Sequence, residues 1–114
     1  MIDLEHNWQS RAASFARQND LLHDPVTHTL DLVAEVGEVT KEVLLATDYG
    51  RQEALFSPQS ADRLKNELGD ALYSLLLLTE TCGVDAGEAL DTALEKYGNR
   101  LAARGEAGSG RDGR

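Results

Sequence analysis

Apolar residues recur at helical spacing along most of this chain, and the pattern predicts an all-α protein with four helices. The four predicted segments are Asp3 to Leu22, Asp24 to about Thr47, Ser57 to Cys82, and Asp85 to about Ala103. In the first segment one apolar face is predicted from Leu4, Trp8, Ala12, Phe15 and Ala16.

Start and stop signals support these boundaries. Asp24-Pro25 and Ser57-Pro58 each combine an N-cap residue with a proline at the first helical position. Glycine favours the end of a helix, and Gly50 and Gly83 follow the second and third segments. The run from Asp85 to Glu88 resembles a capping box at the start of the fourth segment.

The second and third helices are apolar around most of their circumference, which is more than one core-facing stripe requires. Each residue advances about 100° around a helix, and only a narrow acidic face interrupts the apolar surface. A chain of 114 residues has too few helices to cover two such elements. The pattern therefore predicts a homodimer or higher homo-oligomer, with the second and third helices in an intersubunit bundle.

Length and composition indicate one helical domain over residues 1–104, followed by a glycine-rich tail over residues 105–114 that we expect to be disordered. The formal net charge is −9, and no basic patch is apparent, so nucleic acid is not an expected partner. No apolar run is long enough to cross a membrane. A single cysteine, Cys82, and no visible secretory signal fit a cytoplasmic location.

Two acidic pairs carry the candidate chemistry: Glu35 with Glu38, and Glu67 with Asp70. Carboxylates three residues apart share one helix face, so two such helices side by side would bring all four together. Burying them is costly unless a cation binds. Ligation by oxygen alone suits Mg²⁺, with Mn²⁺ as a possible substitute. The alternative is a solvated acidic face without a metal.

The pairs, with the 28 residues between Glu38 and Glu67, resemble the signature of the MazG-like nucleotide pyrophosphohydrolases, which are all-α nucleoside triphosphate pyrophosphatases. The surrounding words Leu-Val-Ala-Glu-Val-Gly-Glu-Val and Asn-Glu-Leu-Gly-Asp-Ala-Leu-Tyr are in the style of that family. The segment from Glu95 to Arg100 is similar to the basic segment of its last helix. The resemblance covers roughly residues 26–103.

The resemblance implies a four-helix protomer that dimerises, and Mg²⁺-dependent cleavage of a (d)NTP to (d)NMP and pyrophosphate in nucleotide-pool housecleaning. Glu35, Glu38, Glu67 and Asp70 would hold the metal. Glu35 or Glu38 would also orient or deprotonate the attacking water. Lys96 and Arg100, one turn apart, would bind the phosphate tail, although they also suit a helix C-terminus as surface cations.

Two other functions stay open at this stage. The residue before Glu35 is Ala34, whereas a doubled glutamate marks some relatives. Its absence disfavours the dimeric dUTPase and phosphoribosyl-ATP pyrophosphohydrolase branches of the family without excluding them. The other alternative is a non-catalytic helical regulator whose acidic core binds metal for assembly.

Overall fold

The computed structural model describes residues 7–53 and 56–104, which form four α-helices and no strand. The all-α prediction is therefore confirmed. The helices are α1 (Trp8–Gln18), α2 (Pro25–Ala46), α3 (Pro58–Thr81) and α4 (Ala86–Arg104).

The N-termini of α2, α3 and α4 lie where the capping signals predict them. The Asp24 carboxylate accepts a hydrogen bond from the Thr27 N–H at 2.8 Å, and this bond is the main reason that the pKa of Asp24 is lowered. The Ser57 hydroxyl accepts from the Ser60 N–H at 3.1 Å, and the Asp85 carboxylate accepts from the Glu88 N–H at 2.8 Å. Each cap satisfies a backbone donor that the first helical turn leaves without a partner.

The C-termini depend less on glycine than the sequence suggests. Asp20 and Asp48 take left-handed backbone, with φ of 55° and 48°, in the position after the C-caps of α1 and α2. The Leu21 N–H donates to the Ala16 carbonyl at 2.8 Å, which closes a Schellman-type turn. As a result α1 ends at Gln18 rather than Leu22, whereas α2 ends at Ala46, one residue before the predicted Thr47. Gly83, with φ of 70°, directly follows the C-cap of α3, and Gly50, with φ of 84°, lies beyond the end of α2 as predicted.

One compact unit contains α1, α2 and α3, and α3 packs against both of the other helices. Among the described residues of this unit, the buried side chains are Ala13, Ala16, His28, Ser74, Leu76 and Leu77. In α1 the buried residues are the small Ala13 and Ala16. The predicted apolar face is only partly covered, because Trp8 and Phe15 are 56% and 54% exposed.

Polar contacts at the end of α3 join it to α1. The Glu80 carboxylate accepts from the Gln9 side-chain amide at 3.0 Å and from the Arg17 guanidinium. On the same pair of helices the Phe15 ring meets the Tyr73 ring edge-on, with 6.3 Å between centroids. These contacts fix the side of α3 that faces α1.

The helix α4 belongs to a second compact unit, which begins at Val84. None of its side chains is buried within the described chain. No helix among the described residues combines the length and the hydropathy that a membrane span requires. The predicted tail over residues 105–114 lies outside the described residues, and the single domain over residues 1–104 stays a prediction.

Candidate metal centre

The helices α2 and α3 form an antiparallel hairpin that brings the two acidic pairs face to face. Glu42 near the end of α2 contacts Arg63 near the start of α3, whereas Glu35, earlier in α2, meets Asp70, later in α3. This opposite order fixes the direction of the two helices. Carboxylates spaced by three or four residues on each helix consequently share one face of the hairpin.

Three carboxylates converge on this face. One oxygen from each of Glu35, Glu67 and Asp70 lies within 4.8 Å of the others. Glu35 and Glu67 are half-buried, and Asp70 is exposed. Oxygens on a shared Mg²⁺ lie about 2.1 Å from the ion and hence up to about 4.2 Å apart. The separations of the three oxygens are therefore close to those of ligands that share one cation.

The electrostatics of the cluster favour a positive ion. The pKa of Glu67 is raised, first by burial and then by the negative charges of Asp70, Glu38, Glu35 and Glu42. Glu67 and these four neighbours therefore concentrate negative charge on one face of the hairpin. The donor set is entirely oxygen, which suits a hard divalent cation such as Mg²⁺ or Mn²⁺.

Glu38 lies on the same face, but its carboxylate is outside the converging group. It lies 4.0 Å from the Lys41 ammonium, and its side chain is 52% accessible to solvent. The four carboxylates that the sequence singles out are thus divided in the structure. Three come together, and Glu38 remains at the solvent side. Its negative charge still raises the pKa of Glu67.

An ion pair between Glu42 and Arg63 lies on the same face and was not predicted from the sequence. The Arg63 Nε donates to a Glu42 carboxylate oxygen at 3.1 Å, and the Glu42 side chain is only 12% accessible. The signal was present in the spacing, because Glu42 follows Glu35 by two turns and Arg63 precedes Asp70 by two turns. Recognising it requires the register of the hairpin, which the spacing alone does not give.

Lys96 and Arg100 lie on one face of α4. The Lys96 Nζ is 5.1 Å, and the Arg100 guanidinium carbon 5.7 Å, from the centroid of the Tyr97 ring. They share this exposed face of the helix with Asn99 and Arg104. Their role in binding substrate stays a prediction.

Comparison with known families assigns the part of the chain that carries these residues. The model of the MazG nucleotide pyrophosphohydrolase domain matches residues 24–104, which include both acidic pairs and the basic face of α4. The chain belongs to the MazG family. The resemblance predicted from the acidic pairs is therefore confirmed.

Curated relatives agree with this assignment. The chain is 34% identical over 101 residues to dCTP pyrophosphatase 1 of Bos taurus, and 33% identical over 101 residues to the protein of the same name in Mus musculus. Each alignment covers 83% of this MazG chain and 59% of the relative. The chain thus spans less than two thirds of the length of the curated relatives that it matches.

Proposed function

We propose that this protein is a Mg²⁺-dependent nucleoside triphosphate pyrophosphohydrolase that converts a (d)NTP to the (d)NMP and pyrophosphate. The observation that carries the proposal is the convergence of Glu35, Glu67 and Asp70 within the stretch that matches the MazG domain. A triphosphate is strongly anionic, and so is this face of the protein. The two can meet only through cations, which is the role the carboxylates suit.

Glu35, Glu67 and Asp70 would hold the metal. Bound Mg²⁺ would neutralise charge on the phosphate chain and activate a water. The protein itself contributes the placement of the carboxylates. Glu38 is suited to orient or deprotonate the attacking water, because it lies beside the group yet outside it. Glu35 remains the second choice for that role.

In the proposed reaction an oxygen of water bonds to the α-phosphorus. The bond between that phosphorus and the oxygen bridging to the β-phosphorus breaks, and pyrophosphate leaves with the bonding electrons. The proton of the water passes to a carboxylate and then to solvent. Lys96 and Arg100 are proposed to bind the phosphate tail, since both are cations that bind phosphate oxygens.

The substrate is proposed to be a canonical or damaged (deoxy)nucleoside triphosphate, consistent with a role in nucleotide-pool housecleaning. The relatives named above are dCTP pyrophosphatases, so dCTP belongs in any first panel. Phosphoribosyl-ATP belongs in the same panel as the alternative substrate. Ala34, in place of a second glutamate, disfavours it.

The proposal includes a homodimer or a larger homo-oligomer. Val26, Leu30 and Val33 follow one stripe of α2 and are 68%, 65% and 67% exposed. On α4 a similar stripe contains Leu90, Leu94 and Leu101. Helices that expose regular apolar stripes are typical of surfaces that another copy covers.

A pyrophosphate-release screen across triphosphates with Mg²⁺ tests the activity. We expect at least one substrate to be turned over, and the turnover to disappear when EDTA replaces Mg²⁺. Uniform background rates, together with dimer stability that depends on metal, would instead support the non-catalytic regulator.

A further inference from the structure

The ion pair between Glu42 and Arg63 occupies a particular place on the hairpin. Its 3.1 Å contact joins α2 to α3, and the Glu42 side chain is 12% accessible to solvent, whereas that of Arg63 is 59% accessible. Most exposed ion pairs contribute little to stability. What distinguishes this pair is its position between the two helices that carry the acidic residues.

The register of the two helices places the ion pair on the same face of the hairpin as the metal centre. From Glu42 to Glu35 is seven residues along α2, and from Arg63 to Asp70 is seven residues along α3. Each interval is about two turns, or roughly 10.5 Å. In an antiparallel hairpin these equal steps put Glu42 opposite Arg63 and Glu35 opposite Asp70.

Charge repulsion makes a clamp at this position useful. Between the ion pair and the Glu35–Asp70 level, Glu38 lies opposite Glu67, so acids of α2 face acids of α3 over a full turn. Like charges facing each other tend to separate the helices when no cation is present. The nearest attractive contact between described side chains of the two helices on this face is that of Glu42 with Arg63.

The same pairing decides which acids are available to a cation. Glu42 lies on the acidic face, and its charge acts on Glu67, but its carboxylate already accepts a hydrogen bond from Arg63. Glu35 has no such competing cation within ion-pair distance among the described residues. The pair therefore keeps Glu42 out of the ligand group and leaves Glu35 in it.

We propose that Glu42 and Arg63 are positioning residues of the metal centre, whose ion pair holds α2 against α3 so that Glu35 reaches the cation held by Glu67 and Asp70. The inference rests on the proposed function, because it requires that the carboxylates bind a divalent metal.

The test measures the affinity of the full chain for Mn²⁺. Electron paramagnetic resonance reports the concentration of free Mn²⁺ during the titration, at a temperature well below the melting temperature. The double variant Glu42→Gln/Arg63→Gln removes the pair without changing the net charge. The proposal predicts about 10-fold weaker Mn²⁺ binding, the loss typical of removing a group that orients metal ligands. Electrostatics alone predicts no change in Mn²⁺ affinity, because the net charge is the same.

The single variant Arg63→Gln separates the two accounts by sign. It makes the acidic face more negative, so electrostatics alone predicts tighter Mn²⁺ binding, whereas loss of positioning predicts weaker binding. Arg63→Lys keeps a cation opposite Glu42 and is expected to retain most of the affinity. Arg63→Gln also serves if the double variant does not fold.

The matched control is Arg17→Gln/Glu80→Gln, which removes the ion pair between α1 and α3 without changing the net charge. We expect it to leave Mn²⁺ affinity within about twofold, even if it lowers the melting temperature. Equal losses of affinity in both double variants would mean a general effect of stability and would overturn the proposal.

Two failures are distinguishable. If wild-type protein binds Mn²⁺, Asp70→Asn weakens that binding, and Glu42→Gln/Arg63→Gln does not, the positioning role is wrong and the proposed function stands. If wild-type protein binds no Mn²⁺ saturably, the metal centre and the positioning role fail together.

Discussion

Glu67 shows at the scale of one residue why the candidate site is costly to the protein that carries it. Its pKa is raised by burial and by four neighbouring carboxylates, which means that folding favours its protonated form. A raised carboxyl pKa stabilises the fold at low pH, and that stabilisation is lost as the pH rises through the folded-state pKa. At neutral pH the ionised Glu67 therefore opposes folding in the absence of metal.

The variant Glu67→Gln should separate stability from function. Without metal its melting temperature at neutral pH is expected to exceed that of the wild type, because the repulsion is removed. Its Mg²⁺-induced rise in melting temperature should vanish, and triphosphate turnover should fall at least about 100-fold, beyond the loss typical of outer-sphere changes. Calorimetry with and without Mg²⁺ checks the first two effects.

Glu53→Gln is the control for that variant, since Glu53 is an exposed glutamate in the connection between α2 and α3. The Glu53→Gln protein should retain the Mg²⁺-induced rise in melting temperature. A Glu67→Gln protein that melts below the wild type without metal would contradict the repulsion that we infer for this face.

Some residue-level features follow from the sequence and others do not. The three-residue spacing within each acidic pair requires the two carboxylates to share a helix face, and the structure brings Glu35, Glu67 and Asp70 together. The orientation of Glu38 toward Lys41 is a choice of side-chain rotation at an exposed position. Spacing carries no information about that choice.

At the scale of the helices, the bounds of α2, α3 and α4 were predicted to within about one residue, whereas α1 begins at Trp8 rather than Asp3 and ends at Gln18 rather than Leu22. A cap such as Ser57 followed by proline is a local signal, and α3 begins there. The ends of α1 and α2 rely on Asp20 and Asp48 in left-handed backbone, a position that glycine usually occupies. Because aspartate is common elsewhere, this signal could not be read from the sequence.

The packing of α1 was also only partly predictable. Helical spacing groups Trp8 and Phe15 with the small residues, but the buried residues of α1 are Ala13 and Ala16. Phe15 stays about half exposed, although its ring meets that of Tyr73 on α3. Which stripe of an amphipathic helix is buried depends on its partner, which a periodic pattern does not specify.

The contact between α1 and α3 should depend on pH through Glu80. Hydrogen bonds from Gln9 and then Arg17 lower the pKa of Glu80. A lowered carboxyl pKa stabilises the fold above the ordinary value, and this stabilisation is lost as the pH falls through the folded-state pKa. The partly exposed Arg17 limits the contribution of the ion pair to about 1 kcal/mol or less.

Denaturant unfolding of wild type and Glu80→Gln measures this effect. The free energy of unfolding should differ by a constant amount near neutral pH. The difference should shrink below the ordinary glutamate pKa of about 4.3. A difference that persists unchanged under strongly acidic conditions would exclude the assigned cause.

At the scale of the whole molecule, the exposed apolar stripe of α2 is the surface that the proposed homo-oligomer would cover. Leu30 and Val33 lie on the side of α2 away from Glu35, since they are separated from it by about 140° to 160° around the helix. A second copy could therefore cover this stripe without closing the acidic face. The four-helix architecture follows from periodicity, whereas the proposed assembly is inferred from surfaces that the single chain leaves exposed.

Light scattering after size exclusion should give the mass of a dimer or of a larger oligomer at micromolar concentration. Leu30→Glu/Val33→Glu should shift the mass toward the monomer while the far-ultraviolet circular dichroism stays helical. A wild-type protein that is monomeric at these concentrations would contradict the proposed assembly.

The central claim is that the acidic face of α2 and α3 supports pyrophosphate release from a triphosphate. Its most direct test is phosphorus nuclear magnetic resonance of the products formed from dCTP, or from the best substrate of the screen, with Mg²⁺. We predict monophosphate and pyrophosphate in equal amounts from the wild type, and neither from Asp70→Asn or with EDTA. Release of inorganic phosphate and a diphosphate, or undiminished turnover by Asp70→Asn, would contradict the claim.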